Sequence, residues 1–166
     1  MHNLCVNANT TLEVKNMTLT QKEQSLLKDM KDAEKLCIEK YKKAADSACD
    51  PQLKNLFSNL SSAERQHLKI FEKMEQGTVE QPQAGNSNQP TFTATYGNED
   101  SPDKQNDSFL CTDLLTAEKH ASHLYDTCVF EFTDESARKA INAIQSQEQN
   151  HGKSIYDYMK VNCMYR

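Results

Sequence analysis

Four stretches of the chain place apolar residues at alternating steps of three and four, the seam by which helices pack in a bundle. The first runs from about Thr20 to Ala48 through Leu27, Met30, Cys37, Tyr41 and Ala44. Thr20 followed by Glu23 is a capping box that marks its start. The second follows Asp50-Pro51, an N-cap with proline at the first helical position, and runs through Leu53, Phe57, Leu60, Phe71 and Met74 to Gly77. The third, from about Asp107 to Phe132, uses Leu110, Leu114, Ala121, Tyr125 and Cys128. The fourth begins at Asp134, a further N-cap, and uses Ala137, Ile141, Ile144, Ile155 and Tyr158. Short turns at 48–51 and 132–134 predict two antiparallel hairpins. Residues 77–106 are rich in Gln, Asn, Pro, Ser and Thr, lack a core pattern, and read as a long connection across the bundle. Within it TFTATY suggests a short extended piece. The prediction is an all-α four-helix bundle made of one hairpin duplicated.

Each stripe is broken by charged or imidazole side chains at positions that should face the core. Glu34, Glu64 and His67 recur 84 residues later as Glu118, Glu148 and His151, and each set reads Glu, then Glu-x-x-His thirty residues on. Tyr41 with Tyr125, and Asp50 with Asp134, keep the same offset. One Glu-x-x-His is weak; two, each preceded by a Glu at the same distance, are a specific signal. Buried carboxylates are costly unless paired or coordinating metal, and Glu and His three apart share one helical face. Four carboxylates and two imidazoles so arranged are the ligand set of a dinuclear metal site in a bundle core. The symmetric expectation has Glu64 and Glu148 bridging two metals, Glu34 and Glu118 binding terminally, and His67 and His151 each adding one nitrogen. Carboxylate with imidazole suits iron or manganese, with zinc also possible. Tyr41 and Tyr125, two turns after the terminal Glu, either hydrogen-bond the ligands, serve as redox phenols, or simply pack. His120, His123, Glu39 and Glu131 fall off the seam and are expected at the surface.

The formal net charge of −5 and pI near 5.5, with no basic stripe, disfavour nucleic acid as a partner. Six Cys at 5, 37, 49, 111, 128 and 163 include no Cys-x-x-Cys, so no rubredoxin-like, zinc-finger or thioredoxin-like centre is encoded. Cys37 and Cys128 lie in apolar stripes and read as buried thiols; Cys5 and Cys163 read as exposed and able to cross-link. No apolar run approaches the ~20 residues of a membrane span. Residues 1–17 have neither a basic n-region nor an apolar h-region, so no signal peptide is predicted. They are expected to form a disordered extension, with Met17 an alternative start to Met1. A single domain over 18–166 is expected, divided into a hairpin (18–76), a linker (77–106) and a second hairpin (107–160).

The runs LTQKEQSLLKDMKDAEKLCIEKY, DPQLKNLF and ERQHL in the first half, with DLLTAEKHASHLYDTCVFEFTDESARKAI and EQNHG in the second, resemble the ferritin-like superfamily and, more narrowly, clostridial members of the spore coat F family. The closing IYDYMKVNCMY is similar to that family's C-terminus, with Cys163 standing where Gly is expected. The resemblance spans roughly 18–76 and 107–165. It implies a ferritin-like bundle in the endospore coat, made in the mother-cell cytoplasm, with other coat proteins as partners and a homodimer as a candidate assembly. The six ligand positions resemble the rubrerythrin pattern. The chain departs from it in lacking a Cys-rich electron-transfer domain and a carboxylate at Ala121. Two functions therefore stand side by side. One is a structural coat protein, stabilised by metal and cross-linked through Cys and the tyrosines Tyr156, Tyr158 and Tyr165. The other is a rubrerythrin-like or manganese-catalase-like enzyme consuming peroxide or oxygen. Iron storage ranks lowest.

Overall fold

The computed structural model describes residues 17–83 and 89–165. It contains α1 (Gln21–Ser47), α2 (Pro51–Glu75), α3 (Pro102–Glu131) and α4 (Glu135–Val161). Thr20 caps α1 with the expected capping box, and Asp50 and Asp134 cap α2 and α4 through their side chains. Gly77, just past α2, adopts a φ of 85°, the left-handed conformation that ends helices. Residues 1–16, where most of the expected extension and Cys5 fall, lie outside the described residues.

Two expectations need correction. Helix α3 starts at Pro102, about five residues earlier than the stripe suggested, because Ser101 accepts from the Lys104 N–H and Pro102 occupies the first turn. The periodic apolar pattern begins later than the capping signal, so the polar first turn read as linker. TFTATY forms no strand; Thr95 and Tyr96 instead donate their N–H groups to the Asn162 side chain at 2.8 and 3.0 Å.

The helices pack as two hairpins, α1 with α2 and α3 with α4. One apolar cluster joins Leu27 and Met30 to Phe71, Met74, Tyr125, Phe132, Ile141 and Ile144. The other joins Tyr41 and Ala44 to Leu53, Phe57, Leu114, Ile155 and Tyr158. The start of α1 thus meets the end of α3, and the start of α2 meets the end of α4. Helices α2 and α3 consequently run parallel, and the chain must return the length of a helix between them, roughly 37 Å at 1.5 Å per residue. That is why the connection is long. It lies along α4: the Gln81 amide donates to the Ser136 carbonyl, Gln147 to the Gln83 carbonyl, and Ser154 to the Gln89 side chain. Phe92 packs edge-on against Tyr158.

The duplication reaches into the turns. Glu23 of α1 accepts the Thr133 N–H and hydroxyl at 2.7 and 2.9 Å, tying α1 to the α3–α4 turn. Its counterpart 84 residues on, Asp107 of α3, accepts the N–H groups of Cys49 and Asp50 at 2.8 and 2.9 Å, tying α3 to the α1–α2 turn. Each hairpin's first helix therefore caps the other hairpin's turn. Asp107 also accepts from the Tyr96 hydroxyl, which anchors the connection. Cys163, where the resemblance led one to expect Gly, holds a φ of 54°, a conformation that carries strain for a side chain with a Cβ.

Asp107→Ala leaves two turn N–H groups and a phenol without their acceptor. It should lower stability by roughly 2–4 kcal/mol in urea unfolding; a loss below about 1 kcal/mol would show that water replaces the carboxylate. For Glu23, burial opposes ionisation, but the hydrogen bonds from Thr133 and Thr20 outweigh it and hold the carboxyl down at about 2, against an ordinary 4.5. A depressed acid stabilises the fold above its unfolded pKa and loses that contribution as pH falls through its folded one. The melting-temperature advantage of the wild type over Glu23→Gln should therefore be full above pH 4.5 and shrink steadily towards pH 2.

Candidate metal centre

Between the two apolar clusters, the six residues singled out from the sequence come together in the core. Glu34, Glu64, His67, Glu118 and Glu148 are at most 3% exposed and His151 9%. They form two overlapping groups, Glu34–Glu64–His67–Glu148 and Glu64–Glu118–Glu148–His151, with ligand atoms within 4.8 Å of one another in each. Glu64 and Glu148 are common to both.

Both imidazoles turn Nδ1 to the carboxylates. His67 Nδ1 lies 2.9 Å from Glu148, 3.0 Å from Glu64 and 3.7 Å from Glu34. His151 Nδ1 lies 2.9 Å from Glu64, 3.3 Å from Glu148 and 3.8 Å from Glu118. The rings are nearly parallel, 15° apart, with centroids 5.6 Å apart. Donor atoms about 2.1 Å from a shared ion lie roughly 3–3.5 Å from each other, and the imidazole–carboxylate separations, from 2.9 to 3.8 Å, bracket that range. One oxygen each of Glu34, Glu118 and Glu148 is buried without a hydrogen-bond partner; the close approach of Glu148 to His67 lacks hydrogen-bond alignment. Unpartnered buried carboxylate oxygens are expensive, and a cation between them satisfies all three. The donor set therefore fits metal.

The tyrosines work reciprocally. Tyr41 of α1 donates its hydroxyl to Glu118 of α3, and Tyr125 of α3 donates to Glu34 of α1, both as short hydrogen bonds. Of the roles left open for them, this favours hydrogen bonding to the predicted terminal carboxylates. Burial, then the charge of Glu118 or Glu34, pushes both phenols well above their ordinary value, so both stay protonated.

The carboxylates are in electrostatic conflict. Burial, then Glu64 and Glu148, holds Glu34 well above the usual range; burial, then Glu148, does the same to Glu118. Glu148 goes the other way: burial opposes its charge, but contacts from His151 and His67 prevail. Burial likewise opposes a charge on His151, yet Glu148 and Glu64 raise it to about 9. Protons on the imidazoles offset part of the negative charge, the task metals perform when bound.

Sequence reasoning missed Gln147. Its amide donates to the Gln83 carbonyl, leaving its own oxygen to accept from His67 Nε2 at 2.7 Å. That holds a proton on Nε2 and leaves Nδ1 as the nitrogen turned to the carboxylates, free to give its lone pair to a cation that displaces its proton. No periodicity could show this, because Gln147 is half-buried and its partner Gln83 lies in the connection. His120, His123 and Glu39 are exposed as expected. Glu131 is half-buried and pairs with Lys22 at 2.5 Å, a correction to its reading as a free surface charge: α1 and α3 lie side by side there.

Glu118→Gln removes a carboxyl whose ionisation burial and Glu148 oppose, so folding no longer has to protonate it, while keeping an acceptor for Tyr41. It should raise the melting temperature of the metal-free protein and abolish the further rise that Mn²⁺ gives the wild type. An unchanged Mn²⁺ effect would remove Glu118 from the site.

Residues 106–166 match the Coat F domain family and residues 6–75 match the Rubrerythrin family. The second match begins at residue 6, about twelve residues before the stretch over which the resemblance was read. Comparison with curated proteins and with solved structures gives no significant match. No described helix is long and apolar enough to cross a membrane. With the duplicated hairpins, the crossover and the buried acid–imidazole core, the chain is a ferritin-like four-helix bundle whose residues 6–75 are similar to the Rubrerythrin family and whose residues 106–166 are similar to the Coat F domain.

Proposed function

We propose that this chain is an endospore coat protein whose bundle holds two metal ions, iron or manganese. Glu34, Glu64, His67 and Glu148 would hold one and Glu64, Glu118, Glu148 and His151 the other, with Glu64 and Glu148 shared and the imidazoles offering Nδ1. The observation that carries this is the pair of overlapping clusters sharing two carboxylates, with three buried oxygens still unpartnered. The Coat F match supports association with the spore coat and with other coat proteins. In this role the metals stabilise the fold, since binding to the folded state alone adds to folding free energy.

A second reading is a peroxide- or oxygen-consuming enzyme. Bound redox metals would supply electron transfer to an O–O bond. The protein's own part is to hold the carboxylates through the Tyr41 and Tyr125 hydroxyls and to keep water out with two apolar clusters. Two features favouring it are these reciprocal tyrosines and a groove of about 420 Å³ between α3 and α4, lined in part by Glu118 and Glu148. The absence of a carboxylate at Ala121 and of a Cys-x-x-Cys electron-transfer centre weighs against direct transfer of the rubrerythrin mechanism.

Elemental analysis of protein purified from sporulating cells should find two redox metals per chain, with Glu64→Ala and His151→Ala losing metal. Both variants keeping two metals after chelator challenge would overturn the assignment. Peroxide consumption by the loaded protein, lost in Glu64→Ala, would place the enzyme first; metal without turnover leaves the structural role.

A further inference from the structure

The duplication provides an internal comparison. Every position near the cluster has a counterpart 84 residues away, and differences between counterparts show where the two ends of the site diverge. Three such differences point the same way.

The first concerns the imidazoles. His67 Nε2 is held by Gln147 of α4. The counterpart of Gln147 on α2 is Ala63, too short to reach His151. Among the described residues His151 Nε2 has no hydrogen-bond partner, and His151 with Ala63 lines a groove bounded by α2, α4 and the connection; Gln147 also lines it, but its oxygen is committed to His67. The second concerns the outer face of each hairpin. In the first, Ser61 donates its hydroxyl to the carbonyl of buried Ile38. In the second, the same places hold Gln145 and Ser122, whose contact is polar and half-buried. The third is Gly152, standing where the first hairpin has Leu68. A Cβ at Gly152 would lie 3.3 Å from the end of Leu115 and 4.0 Å from Glu118 Cβ, so a larger side chain would enter the space beside Glu118. Ser122, Gln145 and Gly152 line the α3–α4 groove that reaches Glu118 and Glu148.

We infer that the two metal positions are inequivalent: divalent cations enter and leave at the Glu118–His151 end, while the Glu34–His67 end is closed. This rests on the dinuclear reading above and adds the route. The buried Ser61–Ile38 contact and an imidazole held by Gln147 cover the closed end, so a cation there leaves only after local opening of the bundle. At the other end a cation passes from polar side chains directly to unpartnered carboxylate oxygen.

The test is release of Co²⁺ from fully loaded protein into excess EDTA, followed by the cobalt absorbance. Two phases of one cation each are expected, differing in rate at least tenfold. Ala63→Gln and Gly152→Ala should each slow the fast phase several-fold and leave the slow phase alone. Gly152→Ala also favours the helix, so it guards against a variant that fails to fold. Gln147→Ala, the mirror of Ala63→Gln, should speed the slow phase alone. Coupled loss from two equivalent positions would also give two phases, but mirror-related variants would then act on both alike, and that result overturns the inference. Release of two cations in a single phase overturns it too, without touching the dinuclear reading. Fewer than two Co²⁺ bound at saturation removes that reading and this inference together.

Discussion

Four carboxylates, two imidazoles and two phenols share one buried layer of this bundle, and the rest of the molecule is arranged around the repulsion among them. Without a cation the layer is held by compromise: Glu34 and Glu118 are driven towards their neutral forms, while Glu148 stays charged against two imidazoles. Each tyrosine hydroxyl serves a carboxylate on the opposite hairpin. Such a layer is a cost to folding unless something binds there. Apolar clusters above and below it meet that cost; a fully buried Leu, Ile or Phe contributes about 1.5–3 kcal/mol. They also keep water from the ligands.

Holding the two hairpins in register is a separate problem, solved at the bundle ends rather than at the site. Glu23 and Asp107 each reach from one hairpin to the turn of the other. Because the locks are reciprocal, sliding one hairpin along the other breaks both. Ligand geometry in the middle layer is thereby set by hydrogen bonds at its two ends. The long connection belongs to the same scheme: it follows α4, secures the Gln147 amide through Gln83, and so reaches Nε2 of His67.

Duplication supplies the symmetry a pair of metals requires, and departures from duplication supply direction. Where buried Ile38 and the Gln147–His67 hydrogen bond close one half of the cluster, Ser122, Gly152 and Ala63 line grooves around the other. This distinction matters equally to a structural coat protein, which must acquire its metal, and to an enzyme, which must admit a small oxidant.

Much of this was legible in the sequence. Glu34, Glu64, His67 and their counterparts announced themselves because helical periodicity assigns each residue a face, and charged groups on an apolar face are conspicuous at any stage of reading. The caps at Thr20, Asp50 and Asp134 were equally plain, since capping is decided by residues three apart. The early start of α3 escaped because its first turn is polar and its capping serine lies in a run that otherwise looks like linker. What periodicity cannot supply is the partner of a side chain on another element. The exchange of Tyr41 and Tyr125 across the bundle, the locks at Glu23 and Asp107, the role of Gln147 and the open space beside Gly152 all join residues from 34 to 110 positions apart. The sequence by itself determined four helices, their pairing and the set of carboxylates and imidazoles buried between them, because those follow from local spacing and from the energetic cost of a buried charge. Tertiary structure alone decided which carboxylate each hydroxyl serves and which end of the site faces solvent, because those depend on distances between helices that no local rule encodes.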